Sequence, residues 1–305
     1  MTVLVTGGAG FIGSHLAEQL VSVGKKVRVV DNLSSGKKEN IPSGVEFQEA
    51  DFSEADLEGV DLIYHLAAKV SVPQSVKFPL EANEMNLGKT LLLLQRAVEA
   101  KVRRFLFASS SSVYGDLPGF PKKESANLRP LSPYAVSKRM AETYCDQASR
   151  HWGMETVVFR FFNVYGPRQD PLSPYAAAIP IFLSRWKKGE TLTVFGDGKQ
   201  TRDFTYVKDV AEGLIRAADT PKAVGEVMNL AGGKAISILE VIKTMEHVLG
   251  QKLEVTFAPP RPGEILHSFS DCAHLKEKVG FVPQTPLEEG LRETFEWFQT
   301  WNLQK

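Results

Sequence analysis

Cysteine is scarce in this chain, since its 305 residues include only Cys145 and Cys272. The two lie too far apart for a zinc site or a redox pair, and two are too few for a disulfide framework at this length. Free cysteines of this kind are usually buried apolar side chains in a reducing compartment. We therefore expect structural thiols and no cysteine chemistry.

An excess of charge is also missing, because 36 Lys and Arg balance 36 Asp and Glu. Without a basic field the chain has no general attraction for nucleic acid or for an acidic membrane. No apolar run reaches the about 18 residues of a spanning helix, and Met1 leads into Val3-Leu4-Val5 rather than into a signal peptide. These features predict a cytoplasmic protein that holds any anionic ligand through local groups.

Short β-branched runs alternate with helical patterns over the first half of the chain. They predict strands over 3–6, 26–31, 45–49, 62–65, 104–109 and 155–161. Helices are expected over 12–23, 88–100 and 133–151, the last with Ser132 as its N-cap. Repeated βαβ units of this kind predict an α/β fold, a Rossmann-type doubly wound parallel sheet covered by helices.

The composition of the chain changes after Gly166-Pro167, where Pro, Gly and aromatic residues become frequent and the predicted helices and strands become shorter. This change predicts a first domain over 1–166 and a smaller C-terminal α/β lobe over 167–305. A helical pattern over 207–218 suggests that the chain returns to the first domain near 203–220. An amphipathic segment over 287–301 is expected to close the second lobe.

A glycine-rich turn over 7–13 follows the first strand and opens the first helix, as a dinucleotide-binding turn requires. Glycine permits a sharp turn close to a pyrophosphate, and the free N–H groups of the helix N-terminus face the phosphates. Asp31 ends the second strand about 20 residues further on, where a carboxylate binds ribose hydroxyls and repels a 2′-phosphate. NAD is thus favoured over NADP, the alternative being a flexible turn with a chance acid.

Three other charged positions near this turn leave alternatives open. Lys37 and Lys38 could attract a 2′-phosphate, although a solvated charge pair is the more ordinary interpretation. Asp51 and Phe52 follow the third strand and could lie beside adenine, but a turn aspartate would give the same pattern.

A tyrosine and a lysine lie four residues apart at the start of a long helix, and therefore share one helix face. An ordinary tyrosine, with a pKa of about 10, is a poor base, and a nearby ammonium favours its phenolate. Serines 109–112 end a central strand and can supply a hydroxyl to relay a substrate proton. Tyr134, Lys138 and this serine run are the candidate catalytic set, whereas Tyr-x-x-x-Lys alone is an ordinary helix-surface pair.

With these residues assembled, the sequence resembles the extended short-chain dehydrogenase/reductase family and, within it, the UDP-sugar 4-epimerases, over essentially its whole length. The matching stretches are 6–13, 31–36, 65–68, 109–115, 132–138, 160–166, 195–207 and 258–264. The resemblance implies that NAD oxidises the sugar at C4, that the 4-keto sugar turns over in the site, and that reduction restores the alcohol with inverted configuration. No metal is implied.

By this resemblance Tyr134 is the base, Lys138 lowers its pKa and holds the nicotinamide ribose, and Ser110 is the partner hydroxyl. The residues implied to line the NAD site are Gly7, Gly10, Phe11, Ile12, Asp31, Asn32, Asp51, Phe52, Ala67 and Asn86. The residues implied to bind the UDP-sugar are Asn163, Thr193, Phe195, Arg202, Arg261 and Glu264. The two arginines suit a pyrophosphate, although each could instead form an ion pair with Asp203 or Glu264.

Two positions discriminate between relatives. Dehydratases that resemble this chain carry acids after the catalytic hydroxyl, and decarboxylases also tend to carry one, whereas Ser111 and Ser112 stand here. A small residue at Ser268, four beyond Glu264, leaves room for an N-acetyl group at C2 of the sugar. We therefore expect UDP-N-acetylglucosamine and UDP-N-acetylgalactosamine as substrates, possibly with UDP-glucose and UDP-galactose, although Ser268 may simply be a loop serine.

Other functions remain open at this point. A dehydratase, decarboxylase or reductase acting on another nucleotide-sugar is the first alternative, and a non-catalytic NAD-sensing protein is the second. The resemblance also implies a homodimer formed by the helices over 88–100 and 133–151. The apolar positions there, which could equally be intramolecular core, are Leu91, Leu94, Val98, Ala141 and Tyr144.

Overall fold

The computed structural model describes residues 1–171, 177–260 and 266–301. The strands of the first half are β1 (Thr2–Thr6), β2 (Lys26–Asp31), β3 (Glu46–Glu49), β4 (Val60–His65), β5 (Arg104–Ser110), β6 (Glu155–Phe161) and β7 (Asn163–Tyr165). Those of the second half are β8 (Leu192–Phe195), β9 (Thr201–Arg202), β10 (Phe204–Tyr206), β11 (Val227–Leu230), β12 (Ile236–Ser237), β13 (Val255–Ala258) and β14 (His267–Ser268).

Helices connect most of these strands. They are α1 (Phe11–Ser22), α2 (Val72–Lys77), α3 (Pro79–Asn83), α4 (Lys89–Glu99), α5 (Pro133–His151), α6 (Ala178–Lys187), α7 (Val207–Ala218), α8 (Ile238–Leu249), α9 (Ala273–Val279) and α10 (Leu287–Thr300). None of the helices within the described ranges combines the length and apolar character that crossing a bilayer requires.

A seven-stranded sheet forms the centre of the fold, in the order β11-β6-β5-β4-β1-β2-β3. Every neighbouring pair in it is parallel. The chain winds outward from β1 through β2 and β3, then returns to β1's other side through β4 and β5. Ligands of such sheets bind at the carboxyl ends of the strands, where the winding direction reverses, which here lies between β1 and β4.

The alternation of side chains along β1 shows how the sheet is buried on both faces. Val3 and Val5 join the cluster beneath α1 and α7, while Leu4 joins the cluster beneath α4 and α5. All three are fully buried. Each such side chain stabilises the fold by about 1.5–3 kcal/mol relative to exposure, so the sheet holds the strand ends rigidly for the site above it.

The predicted fold class and most of its elements are confirmed. Strands 26–31 and 155–161 and helices 133–151 and 207–218 have the predicted bounds, and the other predicted elements differ by one or two residues at an end. The sheet also includes β11, which no sequence pattern placed there. The division into domains 1–166, with a return near 203–220, and 167–305 stays a prediction.

The second half of the chain forms small sheets around a separate apolar cluster. β8 pairs with β13, β7 with β10, and β9 lies between β12 and β14. Side chains of α6, α8 and α10 complete the cluster. Cys145 is fully buried and Cys272 partly so, and both are free thiols, as expected.

The helices predicted to form a dimer are α4 and α5. Their most exposed apolar side chains are not the ones named from the sequence. Leu94 and Ala141 are buried in the core of the subunit, so the intramolecular alternative is correct for these two. Val98 and Tyr144 are half-buried and pack against the same core, and Leu91 is half-buried. The helical period instead exposes Leu92 on α4 and Val136 and Met140 on α5.

Candidate active site

The glycine turn between β1 and α1 is held by close backbone contacts. Gly7 adopts a φ of 71°, and its N–H donates to the carbonyl of Val30. A Cβ on Gly13 would lie 2.2 Å from the Gly7 carbonyl oxygen, so no larger residue fits while α1 packs on this turn. The predicted need for glycine therefore has a steric cause at these two positions.

The helix that follows the turn presents free donors. Gly10 is the N-cap of α1 and makes no side-chain capping bond, and the first turn contains no acidic residue. Phe11 and Ile12 begin the helix, so their N–H groups belong to the helix end that attracts anions. These residues fit the pyrophosphate of NAD, because the turn offers backbone donors and lacks competing carboxylates.

Asp31 closes the turn from the end of β2. Its carboxylate is buried and accepts hydrogen bonds from the N–H groups of Ala9 (3.0 Å) and Leu33 (2.8 Å). Asn32 next to it accepts from the N–H of Ser34. Lys38 forms an exposed ion pair with Glu49, which agrees with the interpretation of this lysine as a solvated surface charge. The Lys37 ammonium lies over the Trp301 ring.

Asp51 and Phe52 are both engaged by the protein itself. One Asp51 oxygen accepts from the N–H and hydroxyl of Ser53, and the other pairs with the Lys89 ammonium at 2.7 Å. Burial would raise the pKa of Asp51, but the hydrogen bonds from Lys89 and Ser53 outweigh it and hold the pKa below its usual value. Phe52 is buried against His65, and contact of either residue with adenine stays a prediction.

The carboxyl end of β4 contains a polar chain that the sequence reasoning missed. His65 is fully buried between the hydroxyls of Thr6 (2.7 Å) and Thr90 (2.8 Å). Burial, helped by the Lys138 ammonium, lowers its pKa to about 3, so the ring stays neutral. Thr6 also accepts from the N–H of Ala67, which places Ala67 beside the glycine turn.

Asn86 lies in a π-helical turn between α3 and α4 and is almost fully buried. Its amide accepts from the N–H of Lys69 (2.7 Å) and donates to the carbonyl of the same residue (2.9 Å). Asn86 thus fixes the loop that leaves Ala67, and its predicted role in the NAD site is untested.

Ser110, Tyr134 and Lys138 come together where β5 meets the first turns of α5. The Ser110 side chain lies close enough to the Tyr134 phenol to lower its pKa by hydrogen bonding, against the effect of burial. The Lys138 ammonium donates to the Ala108 carbonyl at 2.7 Å. Tyr134 and Lys138 are 8% and 3% exposed, so both are shielded from water. The predicted set is therefore assembled on adjacent elements.

From the sequence we expected Lys138 to lower the pKa of Tyr134, and the structure gives a different balance of effects. Burial raises the pKa of Tyr134 above its ordinary value, and the group that opposes the shift is Ser110 rather than Lys138. Burial also lowers the pKa of Lys138 to about 8. The Lys138 ammonium donates its hydrogen bond to the Ala108 carbonyl, and lowering of the Tyr134 pKa by Lys138 stays a prediction.

Side-chain hydroxyls bind two backbone N–H groups at the N-terminus of α5 that have no partner within the helix. Ser132 accepts from the N–H of Ala135, as an N-cap should, and Pro133 occupies the first turn, where its missing N–H is harmless. The buried Ser75 hydroxyl of α2 accepts from the N–H of Tyr134 at 3.1 Å. Ser75 had no sequence signal, because its partner lies 59 residues away.

Asn163, Arg202 and Ser268, which are predicted to bind the substrate, lie on strands next to Asp203. Arg202 pairs with Ser268 across β9 and β14, and the Asn163 N–H donates to the carbonyl of Asp203. The buried Asp203 carboxylate accepts from the N–H groups of Gly232, Gly233 and Ser270. It therefore ties three short segments together, a role that the sequence did not reveal.

Thr193 and Phe195 lie on β8, in a separate small sheet. Thr193 accepts from the Arg185 guanidinium at 2.7 Å, and the Phe195 carbonyl accepts from the Gln200 side chain at 2.8 Å, just before β9. The strand thus connects to the Arg202 region. The predicted residues Arg261 and Glu264 lie outside the described residues.

No cluster of three or more His, Cys, Asp or Glu side chains that could hold a metal ion occurs among the residues described. A doubly wound sheet, a glycine turn with an acid at the end of β2, and a Ser, Tyr and Lys set at the carboxyl end of β5 define an extended short-chain dehydrogenase/reductase.

Comparison with known proteins agrees with this class. The model of the NAD dependent epimerase/dehydratase family matches residues 3–231, and the chain belongs to that family. Its fold is similar to that of UDP-N-acetylglucosamine 4-epimerase from Methanobrevibacter ruminantium in complex with UDP-N-acetylmuramic acid, with a TM-score of 0.94, 42% identity and 98% of each chain covered. It is also similar to the Thermus thermophilus UDP-glucose 4-epimerase complex with NAD, with a TM-score of 0.88, 38% identity, and 98% of this chain and 99% of that chain covered.

A relative with a different reaction is nearly as similar. The UDP-N-acetyl-alpha-D-glucosaminuronate decarboxylase of Bacillus cytotoxicus is 37% identical, with 97% of each chain covered. The chain is thus an NAD-dependent enzyme of the UDP-sugar 4-epimerase group, an isomerase, and overall similarity alone does not identify its sugar.

Proposed function

We propose that this protein interconverts UDP-N-acetylglucosamine and UDP-N-acetylgalactosamine by inverting C4, and that it also accepts UDP-glucose and UDP-galactose. The observation that carries this proposal is the set formed by the buried Tyr134 and Lys138 and the half-buried Ser110 at the end of β5, followed by the serines 111 and 112 instead of acids. A base without a neighbouring acid suits oxidation and reduction at one carbon rather than removal of water.

NAD, when bound, supplies a reversible hydride acceptor. We propose that the residues of the glycine turn hold its pyrophosphate, that Asp31 and Asn32 hold the adenosine ribose, and that Asp51 and Phe52 lie near adenine. The remaining NAD-site residues in the proposal are Ala67, Asn86 and Lys138.

Tyr134 is the proposed base for the sugar hydroxyl. Because burial raises the pKa of the phenol, ionisation needs stabilising groups close by. Ser110 provides a hydrogen bond to the phenol oxygen, and the Lys138 ammonium and the cationic nicotinamide provide positive charge. Exclusion of water from the buried pair strengthens these interactions.

The UDP moiety is proposed to bind on the other side of the site. Asn163, Thr193, Phe195 and Arg202 are the binding groups among the described residues, together with Arg261 and Glu264. An arginine guanidinium offers paired donors to phosphate oxygens, and Arg202 lies on a strand that Asp203 anchors. Holding the nucleotide firmly and the sugar loosely would permit the keto sugar to turn over.

Ser268 is proposed to admit the N-acetyl group. Turnover of the acetylated and unacetylated UDP-sugars should be compared for the wild type and Ser268→Tyr, and the variant should lose the acetylated pair selectively. His267→Tyr is the matched control, because successive strand residues point to opposite faces. If Ser268→Tyr retains the wild-type preference, Ser268 has no role in sugar selection.

Decarboxylation is the second candidate function, favoured by the Bacillus cytotoxicus relative. Product mass separates the candidates, because an epimerase yields an isomer of unchanged mass without net NADH. A dehydratase, decarboxylase or reductase changes the mass or consumes cofactor, and a non-catalytic NAD sensor gives no product.

A homodimer is also part of the proposal. The exposed Leu92, Val136 and Met140 on α4 and α5 form an apolar face suited to a second copy of the chain. Light scattering should report a dimer for the wild type and a monomer for Met140→Glu; a monomeric wild type would refute this part. The cytoplasmic location expected from the sequence remains a prediction.

A further inference from the structure

Three successive residues at the end of β5 contact three positions on α5, each four residues apart. The Ala108 carbonyl accepts from Lys138 at 2.7 Å, the Ser109 hydroxyl donates to Glu142 at 2.5 Å, and Ser110 bonds to Tyr134. Positions 134, 138 and 142 share one face of the helix, since the spacing of four repeats. The contact between Ser109 and Glu142 involves two residues outside the proposed catalytic set.

Glu142 is a buried charge with a complete set of partners. It is 1% exposed, and the Arg160 guanidinium binds both of its oxygens, at 2.9 and 2.8 Å. Arg139 adds a further ion pair at 3.2 Å. A carboxylate this deeply buried costs several kcal/mol to desolvate unless it is paired, so its position is narrowly defined.

The partners of Glu142 extend across the sheet. Arg160 lies on β6 and also donates to the Tyr114 hydroxyl at 3.0 Å, which in turn donates to Asn229 of β11 at 2.7 Å. Glu142 therefore connects α5 to three strands. A change in its position would shift α5 along β5.

We propose that Glu142, held by Arg160 and bonded to Ser109, is a positioning residue that sets the register of α5 on β5. Through that register it keeps Tyr134 against Ser110, and its negative charge keeps Lys138 protonated. This inference rests on the proposed function for the roles of Tyr134 and Lys138. Glu142 itself contacts neither substrate nor cofactor.

The groups around Lys138 support the charge component. Burial lowers the pKa of Lys138 to about 8, and Cys145 and Glu142 act in the opposite direction. His65 is neutral because its pKa is about 3, burial raises the pKa of the Cys145 thiol, and burial raises the pKa of Tyr134. The Phe107 ring faces the ammonium at 4.8 Å. Glu142, which is ion-paired with Arg160, is thus the carboxylate among the groups that act on the Lys138 ammonium.

The charge component is tested by the titration of Lys138 in Glu142→Gln. Selective ¹³C labelling of lysine side chains gives an NMR signal that Lys138→Met identifies. The midpoint should fall by about one pH unit in Glu142→Gln, because an anion is removed while the cation Arg160 stays. An unchanged midpoint would overturn the charge component.

The register component is tested by Ser109→Ala, which removes one hydrogen bond without leaving a buried charge unpaired. We expect kcat for the UDP-sugar to fall about tenfold with KM within about twofold, and Ser109→Thr to restore kcat because it retains the hydroxyl. Thr156→Val is the matched control: it removes a buried hydrogen bond between β6 and α5, to the Cys145 carbonyl, without touching Glu142.

The outcomes separate this inference from the proposed function. A kcat of Ser109→Ala no lower than that of Thr156→Val would overturn the register component. A wild-type protein that isomerises no UDP-sugar would refute the proposed function instead, and the Lys138 titration would still decide whether Glu142 controls its charge.

Discussion

The two sides of the site are built differently. On the proposed cofactor side, a short turn over 7–10 joins β1 to α1, and steric contacts among backbone atoms of the turn and the first turn of α1 determine its shape. On the substrate side, strands of two or three residues from distant parts of the chain meet around Asp203. The first is defined locally and the second by long-range contacts.

This difference determines what a substitution can do. A larger side chain on the cofactor side collides with main chain that cannot move, so binding of the dinucleotide should be lost. On the substrate side, loss of one polar contact should loosen several segments at once and weaken the hold on the nucleotide. Loss of the Tyr134 hydroxyl should instead affect the rate without affecting either side.

The largest effect is expected for Tyr134→Phe, which leaves both sides intact. Because it removes the proposed base, kcat should fall by about 10²- to 10⁴-fold while NAD content and Tm stay unchanged. Tyr144→Phe, on the same helix and outside the set, should retain the wild-type rate. Wild-type isomerisation by Tyr134→Phe would refute the catalytic assignment.

Gly13→Ala should have the largest effect on the cofactor side. Its Cβ would lie 2.2 Å from the Gly7 carbonyl oxygen, so either the turn or α1 must shift. We expect at least about tenfold weaker NAD binding by calorimetry, one decade being about 1.4 kcal/mol. Gly88→Ala is the control, because open space surrounds its Cβ position. Equal affinities for the two variants would contradict the steric account.

The pH profile tests the group that lies between the two sides. Because burial lowers the pKa of Lys138 to about 8, its ammonium loses the proton as the pH rises through that value. The isomerisation rate should then decline about tenfold per pH unit above it. A rate that stays constant to pH values well above 8 would show that a protonated Lys138 is not required.

The smallest effect on rate is expected for Asp203→Asn on the substrate side. An amide oxygen replaces only part of the acceptor capacity that Gly232, Gly233 and Ser270 use, so stability should fall by about 1–3 kcal/mol in urea unfolding. KM for the UDP-sugar should rise severalfold and NAD content should not change. Asp197→Asn, an exposed aspartate nearby, should leave KM unaltered; equal KM changes would mean that Asp203 does not organise this side.

The same contrast explains what could be predicted from the sequence. The glycine turn, Asp31, and the Tyr134 and Lys138 pair carry spacing rules that follow from strand and helix geometry, so they could be located without a structure. Ser75, His65 and Asp203 could not, because their partners lie from 25 to 67 residues away. Glu142 did have a signal, a carboxylate four residues beyond Lys138 on the buried face of α5.

The outward faces of α4 and α5 show an ambiguity that the sequence could not resolve. Leu94 and Ala141 match an apolar stripe, but such a stripe does not distinguish contact with the subunit's own sheet from contact with a second copy. Only the packing of both helices on the sheet shows that Leu92, Val136 and Met140 remain exposed.

The most direct test of the account follows the hydrogen at C4. UDP-N-acetylglucosamine carrying deuterium at C4 should be incubated with the purified protein in ordinary water, and the product analysed by mass and NMR. Inversion through the proposed site predicts UDP-N-acetylgalactosamine of unchanged mass that retains the deuterium at C4. A product of altered mass, or loss of the label to water, would contradict it.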